Sequence, residues 1–221
     1  MTKAKVDNQL KNMPGPVSIK KNQSPWREYK LSRIANAKDT IGEITPGIDV
    51  YALTMGQFDL ADVMEHLLEA TGPADVVVAT WTAAKADLDR AEVFLKDKRI
   101  LSLRFIVDQS FPNRQPGYFN RLVNKFGEGS VVVTRSHCKF LLIKGGGYSF
   151  IVRTSANLNS NKRMENIEVT DNEDFYNFMM EAADLIFKEG GSIYAPDLSG
   201  MESVEPVSQV KVGNQVKVGK L

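Results

Sequence analysis

Cysteine and histidine are nearly missing from this sequence, with one Cys and two His in 221 residues. A single cysteine excludes an intrachain disulfide, and so small a set of soft ligands leaves the usual zinc sites unsupported. Long apolar runs are missing too. No stretch approaches the eighteen or so apolar residues of a membrane-spanning helix, and the start Met1-Thr2-Lys3-Ala4-Lys5-Val6-Asp7 lacks the apolar core of a secretory signal. The expected location is the cytoplasm. No apolar loop or amphipathic helix stands out for contact with a bilayer surface, so stable membrane association is not expected. Gly145-Gly146-Gly147 has neither the lysine nor the helix start of a phosphate-binding loop, which makes a kinase-like or nucleotide-binding reading weak.

What is present suits one domain of ordinary size, since 43% hydrophobic content over this length supplies a proper core. The net charge of +1 conceals an asymmetry, because residues 1–38 carry nine Lys or Arg against Asp7 and Glu28. Residues 1–40 therefore read as a basic, flexible arm suited to a polyanion or an acidic partner, with a solubilising tail as the plain alternative. Residues 41–195 read as the folded domain. Residues 196–221 read as a tail or accessory strands, because Gln209-Val210-Lys211-Val212-Gly213 recurs as Gln215-Val216-Lys217-Val218-Gly219.

Within the domain, apolar alternation and runs predict strands over 48–53, 75–81, 101–108 and 130–133. Helical spacing predicts helices over 58–68, stopped by Gly72-Pro73, and over 85–98, 118–126 and 175–188. Strands alternating with helices imply an α/β fold with a mixed β-sheet layered with helices. His66 falls in the first helix with Leu68, not Lys, two places on, and reads as a structural or surface residue. Trp81, Phe111 and Tyr118 could stack on bases, but core packing is the simpler reading.

The richest segment is His137-Cys138-Lys139, followed by Ser155 and Asn157 in Thr154-Ser155-Ala156-Asn157. On a strand, residues two apart share a face, so His137 and Lys139 should project together and Cys138 should point away as a small buried hydrophobe. Residues 140–143 are strongly apolar, the three glycines make a turn, and 148–152 return as the second strand of a hairpin. Pairing Lys144 with Tyr148 would set Ser155 opposite His137, with Asn157 one diagonal step away. A polar loop over 159–163 then leads to Glu165 and a short strand at 167–169. Singly, each residue has a bland reading: a satisfied histidine, two turn formers, a solvated carboxylate. Their information lies in the set.

The set resembles the phospholipase D superfamily, whose signature joins a His-any-Lys pair to a downstream Gly/Ser-Ser-any-Asn turn and a later acid. The matching residues are His137, Lys139, Ser155, Asn157 and Glu165. The resemblance covers about residues 45–190, most sharply 135–170, and the layout is similar to the small bacterial nucleases of the superfamily. Two positions depart from the pattern. Lys144 stands where Asp is usual, roughly 16 Å along a strand from Lys139, and Thr154 replaces Gly or Ser. A branch acting on tyrosyl-DNA linkages is similar in lacking that Asp.

The resemblance implies a phospholipase D-like fold and a metal-independent, cofactor-free phosphodiesterase, in particular an endonuclease acting on nucleic acid, DNA ahead of RNA. It assigns His137 as the nucleophile that forms a phosphohistidine, Lys139 and Asn157 as the phosphate-neutralising groups, Glu165 as the group orienting the imidazole, and Ser155 as support. A single motif implies a homodimer in which His137 from each subunit shares one cleft, one as nucleophile and one as acid. The alternative is a weakened or silent relative with a nucleic-acid-binding or structural role, favoured by Lys144 and Thr154.

Overall fold

Caps and turn glycines divide the chain into the alternating elements that the spacing predicts. The computed structural model describes residues 19–20, 27–32, 34–158 and 162–188. In chain order these form β1 (Ile19–Lys20), β2 (Glu28–Leu31), α1 (Ala37–Ile41), β3 (Asp49–Thr54), α2 (Leu60–Thr71), β4 (Ala74–Thr80), α3 (Lys85–Lys96) and β5 (Ile100–Asp108). They continue with α4 (Phe111–Arg114), α5 (Pro116–Phe126), β6 (Val131–Thr134), β7 (Phe140–Gly145), β8 (Tyr148–Thr154), β9 (Glu165–Asp171) and α6 (Glu173–Lys188).

The boundaries have local causes. Asp59 caps α2 by accepting from the amides of Ala61 and Asp62 at 2.9 and 3.0 Å, while Asp62 returns the bond to the Asp59 amide at 2.8 Å. This reciprocal box satisfies donors that the first turn cannot. Gly72 ends the helix at φ +64°, and Pro73 cannot continue it.

All nine described strands form one mixed sheet in the order β1-β2-β3-β9-β8-β7-β4-β5-β6. Strands β2, β3, β4, β5, β6 and β8 run one way, and β1, β7 and β9 run against them. The alternating side chains of the central strands divide between two cores. Val76, Val78, Phe105, Leu141, Ile143, Phe150 and Val152 pack under helices α1 to α5, and Val77, Ala79, Ile106, Leu142 and Ile151 pack under α6. The α/β fold with a mixed sheet layered with helices is what the alternation of elements predicts. No helix among the described residues is long and apolar enough to cross a membrane.

The described part of the expected arm belongs to the sheet. Glu28–Leu31 pairs parallel with β3, and Arg27 ties it down by bonding Asp49 at 2.9 Å and Glu168 at 2.6 Å. Helix α1 also takes up the end of the expected arm, with Ala37 and Thr40 buried. The remainder of the arm (1–18, 21–26 and 33) and the 196–221 segment with its repeat lie outside the described residues.

Candidate active site

Two connections converge on the carboxyl end of β4. Strand β6 lies at the sheet edge, two strands from the place where β7 must start, so residues 135–139 cross the ends of β5 and β4 before turning down into β7. From the other side, the chain leaving β8 passes over the start of β7 to the same point. There Leu158 bridges Ala83, accepts from the Ala84 amide at 2.8 Å and donates its own amide to Thr80 Oγ1 at 3.1 Å. His137 and Asn157 meet at Trp81, the residue following β4. The imidazole lies 5.8 Å from the indole, ring centre to ring centre. Asn157 Oδ1 accepts from the Trp81 amide at 3.2 Å.

This geometry corrects three expectations. His137 and Cys138 are not on a strand, because a chain crossing two strand ends cannot stay in the ladder. Cys138 is exposed, not a buried hydrophobe, for the same reason. The hairpin register is displaced by one residue: Lys144 faces Ser149, and Gly145 faces Tyr148. Gly146 and Gly147, at φ +56° and +87°, form a two-residue loop of the kind whose twist matches paired strands, and that loop sets the register. His137 and Asn157 therefore come together at the end of a third strand and not as near-opposite residues of one hairpin.

The imidazole of His137 is exposed, and Lys139 is half-buried beside it. Lys139 Nζ donates to the His137 carbonyl at 3.0 Å and lies 3.5 Å from Nδ1. At that length the ring contact is at the weak limit of a hydrogen bond, and Nε2 meets no protein partner among the described residues. Burial lowers the Lys139 pKa from its usual value, against the opposing pull of Glu165, Cys138 and Asp108. The Asn157 carboxamide is oriented by its bond to the Trp81 amide. Because Oδ1 serves the N–H, Nδ2 is left as a donor aimed elsewhere.

Ser155 and Glu165 form a different unit. The Ser155 hydroxyl donates to Glu165 Oε2 and accepts from the Asn166 amide at 3.0 Å, joining the end of β8 to the start of β9. Glu165 thus reaches Ser155 and faces the Lys139 charge; it makes no bond to the imidazole. Thr154, one of the two departures, donates to the Asn166 carbonyl at 2.7 Å and accepts from the Ala156 amide at 2.9 Å. Lys144, the other, sits at the far end of β7, where it pairs with Glu173 at 3.0 Å. His66 is buried, with Nε2 2.9 Å from the Gly42 carbonyl oxygen.

Two residues of the site escaped the motif. Asp108, the last residue of β5, accepts from the Ser110 amide at 2.9 Å and from its hydroxyl, and also holds the Ser136 amide and the Trp81 side chain. Burial pushes its carboxyl up, but these hydrogen bonds outweigh burial and hold it below the usual range. Trp81 is the second. Both stand where predicted strands end, and the carboxyl ends of parallel strands are where open α/β sheets bind ligands. That rule, applied to the strands predicted over 75–81 and 101–108, would have found them. Among the described residues, no group of three or more His, Cys, Asp or Glu is placed to hold a metal ion.

No family model matches the sequence, and no curated protein matches it. Among solved structures the chain is similar to phosphatidylserine synthase from Haemophilus influenzae Rd KW20, at 17% identity and a TM-score of 0.44. The similarity covers 65% of this chain and 38% of that one.

Proposed function

We propose that this protein is a phosphodiesterase that cleaves nucleic acid, DNA ahead of RNA, through a covalent phosphohistidine on His137. One juxtaposition carries the reading. An exposed imidazole stands with Lys139 Nζ 3.5 Å from Nδ1, beside an Asn157 carboxamide whose donor end is free, at the carboxyl ends of parallel strands. The phospholipase D-type signature in the sequence supports the same chemistry.

Phosphodiesters resist attack because their anionic oxygens repel nucleophiles, so a catalyst must neutralise that charge, supply a nucleophile and protonate the leaving oxygen. Lys139 and the Asn157 amide fit the first task. Neutral His137 attacks phosphorus in line through Nε2, in the tautomer with its proton on Nδ1, so the Lys139 ammonium leaves Nδ1 and turns to the phosphate; the P–N bond forms as the bond to the leaving oxygen breaks, and that oxygen takes up a proton. Water then attacks the phosphohistidine, giving a phosphomonoester and free imidazole. Glu165 acts on the nucleophile indirectly, through the charge it presents to Lys139 and the bond by which it fixes Ser155.

The proton for the leaving oxygen needs a second acid near neutral pH. His66 is committed to the interior, so the reading requires another copy of the chain. A two-fold homodimer brings His137 of the partner subunit to the same cleft as the acid. Exposed Arg114, Arg135, Lys162 and Arg163 lie on the loops and the helix end around the site, and with the basic N-terminal segment they favour a polyanion.

The test is plasmid nicking and bis(p-nitrophenyl) phosphate hydrolysis by the wild type and His137→Ala, each with and without chelator. Cleavage by the wild type that survives chelation and disappears in His137→Ala is expected. Equal signals from both proteins would support the non-enzymatic alternative. Sedimentation equilibrium tests the dimer, and a fully active monomer would remove the shared cleft.

A further inference from the structure

Arg114 and Trp81 form a planar cation stacked on an indole, immediately beside the reactive imidazole. The Arg114 guanidinium carbon lies 3.6 Å from the centre of the Trp81 ring, and His137 contacts the same indole at 5.8 Å with the rings inclined by 56°. Both partners are fixed in place. The Trp81 amide donates to Asn157 Oδ1 at 3.2 Å and its carbonyl accepts from Arg114 at 3.0 Å, while the side chain lies close enough to Asp108 to help hold that carboxyl below the usual range. Arg114 Nε donates to the Ser110 hydroxyl at 2.9 Å. These bonds use one edge and one arm of the fork, so the second terminal nitrogen has no protein partner among the described residues.

Such an arrangement is unlike a surface arginine wandering in solvent. Arg114 is exposed, yet its plane is set by an aromatic ring beneath and two hydrogen bonds at its edge. A guanidinium with one face covered by indole keeps its other face for a second flat group, and unstacked nucleobases are recognised on arginine planes as well as on aromatic rings. The platform also stands next to the group proposed to attack phosphorus. We propose that Arg114, backed by Trp81, seats the base adjacent to the cleaved phosphate. This rests on the phosphodiesterase reading of the His137 site and deepens it, since it assigns the substrate an unstacked, single-stranded nucleotide next to the scissile bond.

The test separates the two claims by measuring binding without turnover. The full chain carries His137→Asn to block attack and Trp26→Phe to leave Trp81 as its single tryptophan, because the sequence has two. Quenching of Trp81 is titrated with thymidylyl-thymidine, which has one phosphate and therefore one register, and with its two analogues in which either thymine is replaced by an abasic spacer. One abasic analogue is expected to bind at least about fivefold more weakly than the intact dinucleotide. Arg114→Lys keeps the charge and loses the plane, so it should bind the intact and abasic compounds alike; circular dichroism checks its fold. Equal binding of all three compounds to the parent, a base preference that survives Arg114→Lys, or no saturable quenching would each overturn the subsite. Base-dependent binding by the blocked protein, with no cleavage by the wild type in the nicking assay, leaves the subsite standing and removes the enzymatic reading.

Discussion

The two ends of the β7–β8 hairpin are built on opposite principles. At the closed end a Cβ on Gly146 would come within 2.4 Å of the Thr71 carbonyl oxygen, and one on Gly145 within 2.7 Å of the Pro73 carbonyl oxygen. On one side, through Gly145 and Gly146, that end is packed against the turn between α2 and β4, while Lys144 and Gly147 face solvent. At the open end His137, Ser155 and Asn157 are exposed or half-buried, and the backbone leaves the ladder. Exposed side chains can thus be both presented to solvent and held in place. The rigid turn sets the register, while the exposed end holds its groups through bonds to other strand ends rather than through packing.

Substitutions at the open end should have the strongest consequences. His137→Ala should lower phosphodiesterase turnover at least about 10³-fold, and Lys139→Ala on the order of 10²-fold, while thermal melting moves by no more than about 2 °C. A large fall in melting temperature for His137→Ala would show that the exposed end is structural after all. Next comes the closed end. Gly146→Ala combines a positive φ with a backbone clash and should cost about 3 kcal/mol or more, lowering the melting temperature by roughly 6–12 °C. Gly147→Ala meets nothing within 4 Å and should cost only about 1 kcal/mol. Similar losses for the two would contradict the close approach to Thr71.

A third measurement sharpens the contrast just beyond Trp81, where the Asp87 carboxyl is buried beside Asp59. Burial and the neighbouring carboxylate push its pKa up to about 7. The native state thus keeps a proton that the unfolded chain releases in the ordinary carboxylate range. The resulting stability is complete in acid and is lost as pH rises towards and through 7. Asp87→Asn cannot titrate, so its melting temperature should exceed that of the wild type at pH 8 by roughly 2–4 °C, with the gap closing towards pH 4. Parallel melting profiles from pH 4 to 8 would refute the assignment. The smallest effect belongs to Lys144, whose pair with Glu173 is exposed at the closed end. Lys144→Ala should change stability by less than about 0.5 kcal/mol and turnover by less than about twofold. A large loss of turnover would show that this departure from the motif touches the chemistry.

Much of the fold could be read directly because its signals are local. Helix α2 announces itself by apolar spacing between Asp59 and Gly72, and β4 by the run Val76-Val77-Val78. Strand β2 could not be read, since Glu28-Tyr29-Lys30-Leu31 is only partly buried and is held through Arg27 to Asp49 and Glu168, residues distant in sequence. The site divides in the same way. The spacing of His137, Lys139, Ser155, Asn157 and Glu165 marks a chemical set, but the hairpin count that joined them was one residue out. Trp81, Asp108 and Arg114 carry no motif of their own.

The order of residues marks most of the elements, β2 excepted, and the side chains with the chemistry to act, because helix caps, apolar periods and ionisable groups are properties of short stretches. Where those side chains meet is a property of the complete fold. Strand order places β4 between β7 and β5, and that order arises from the burial of two sheet faces contributed by the whole chain. The crossings of 135–139 and 155–158 towards β4 follow from it, and with them the meeting of His137, Asn157 and Arg114 at Trp81.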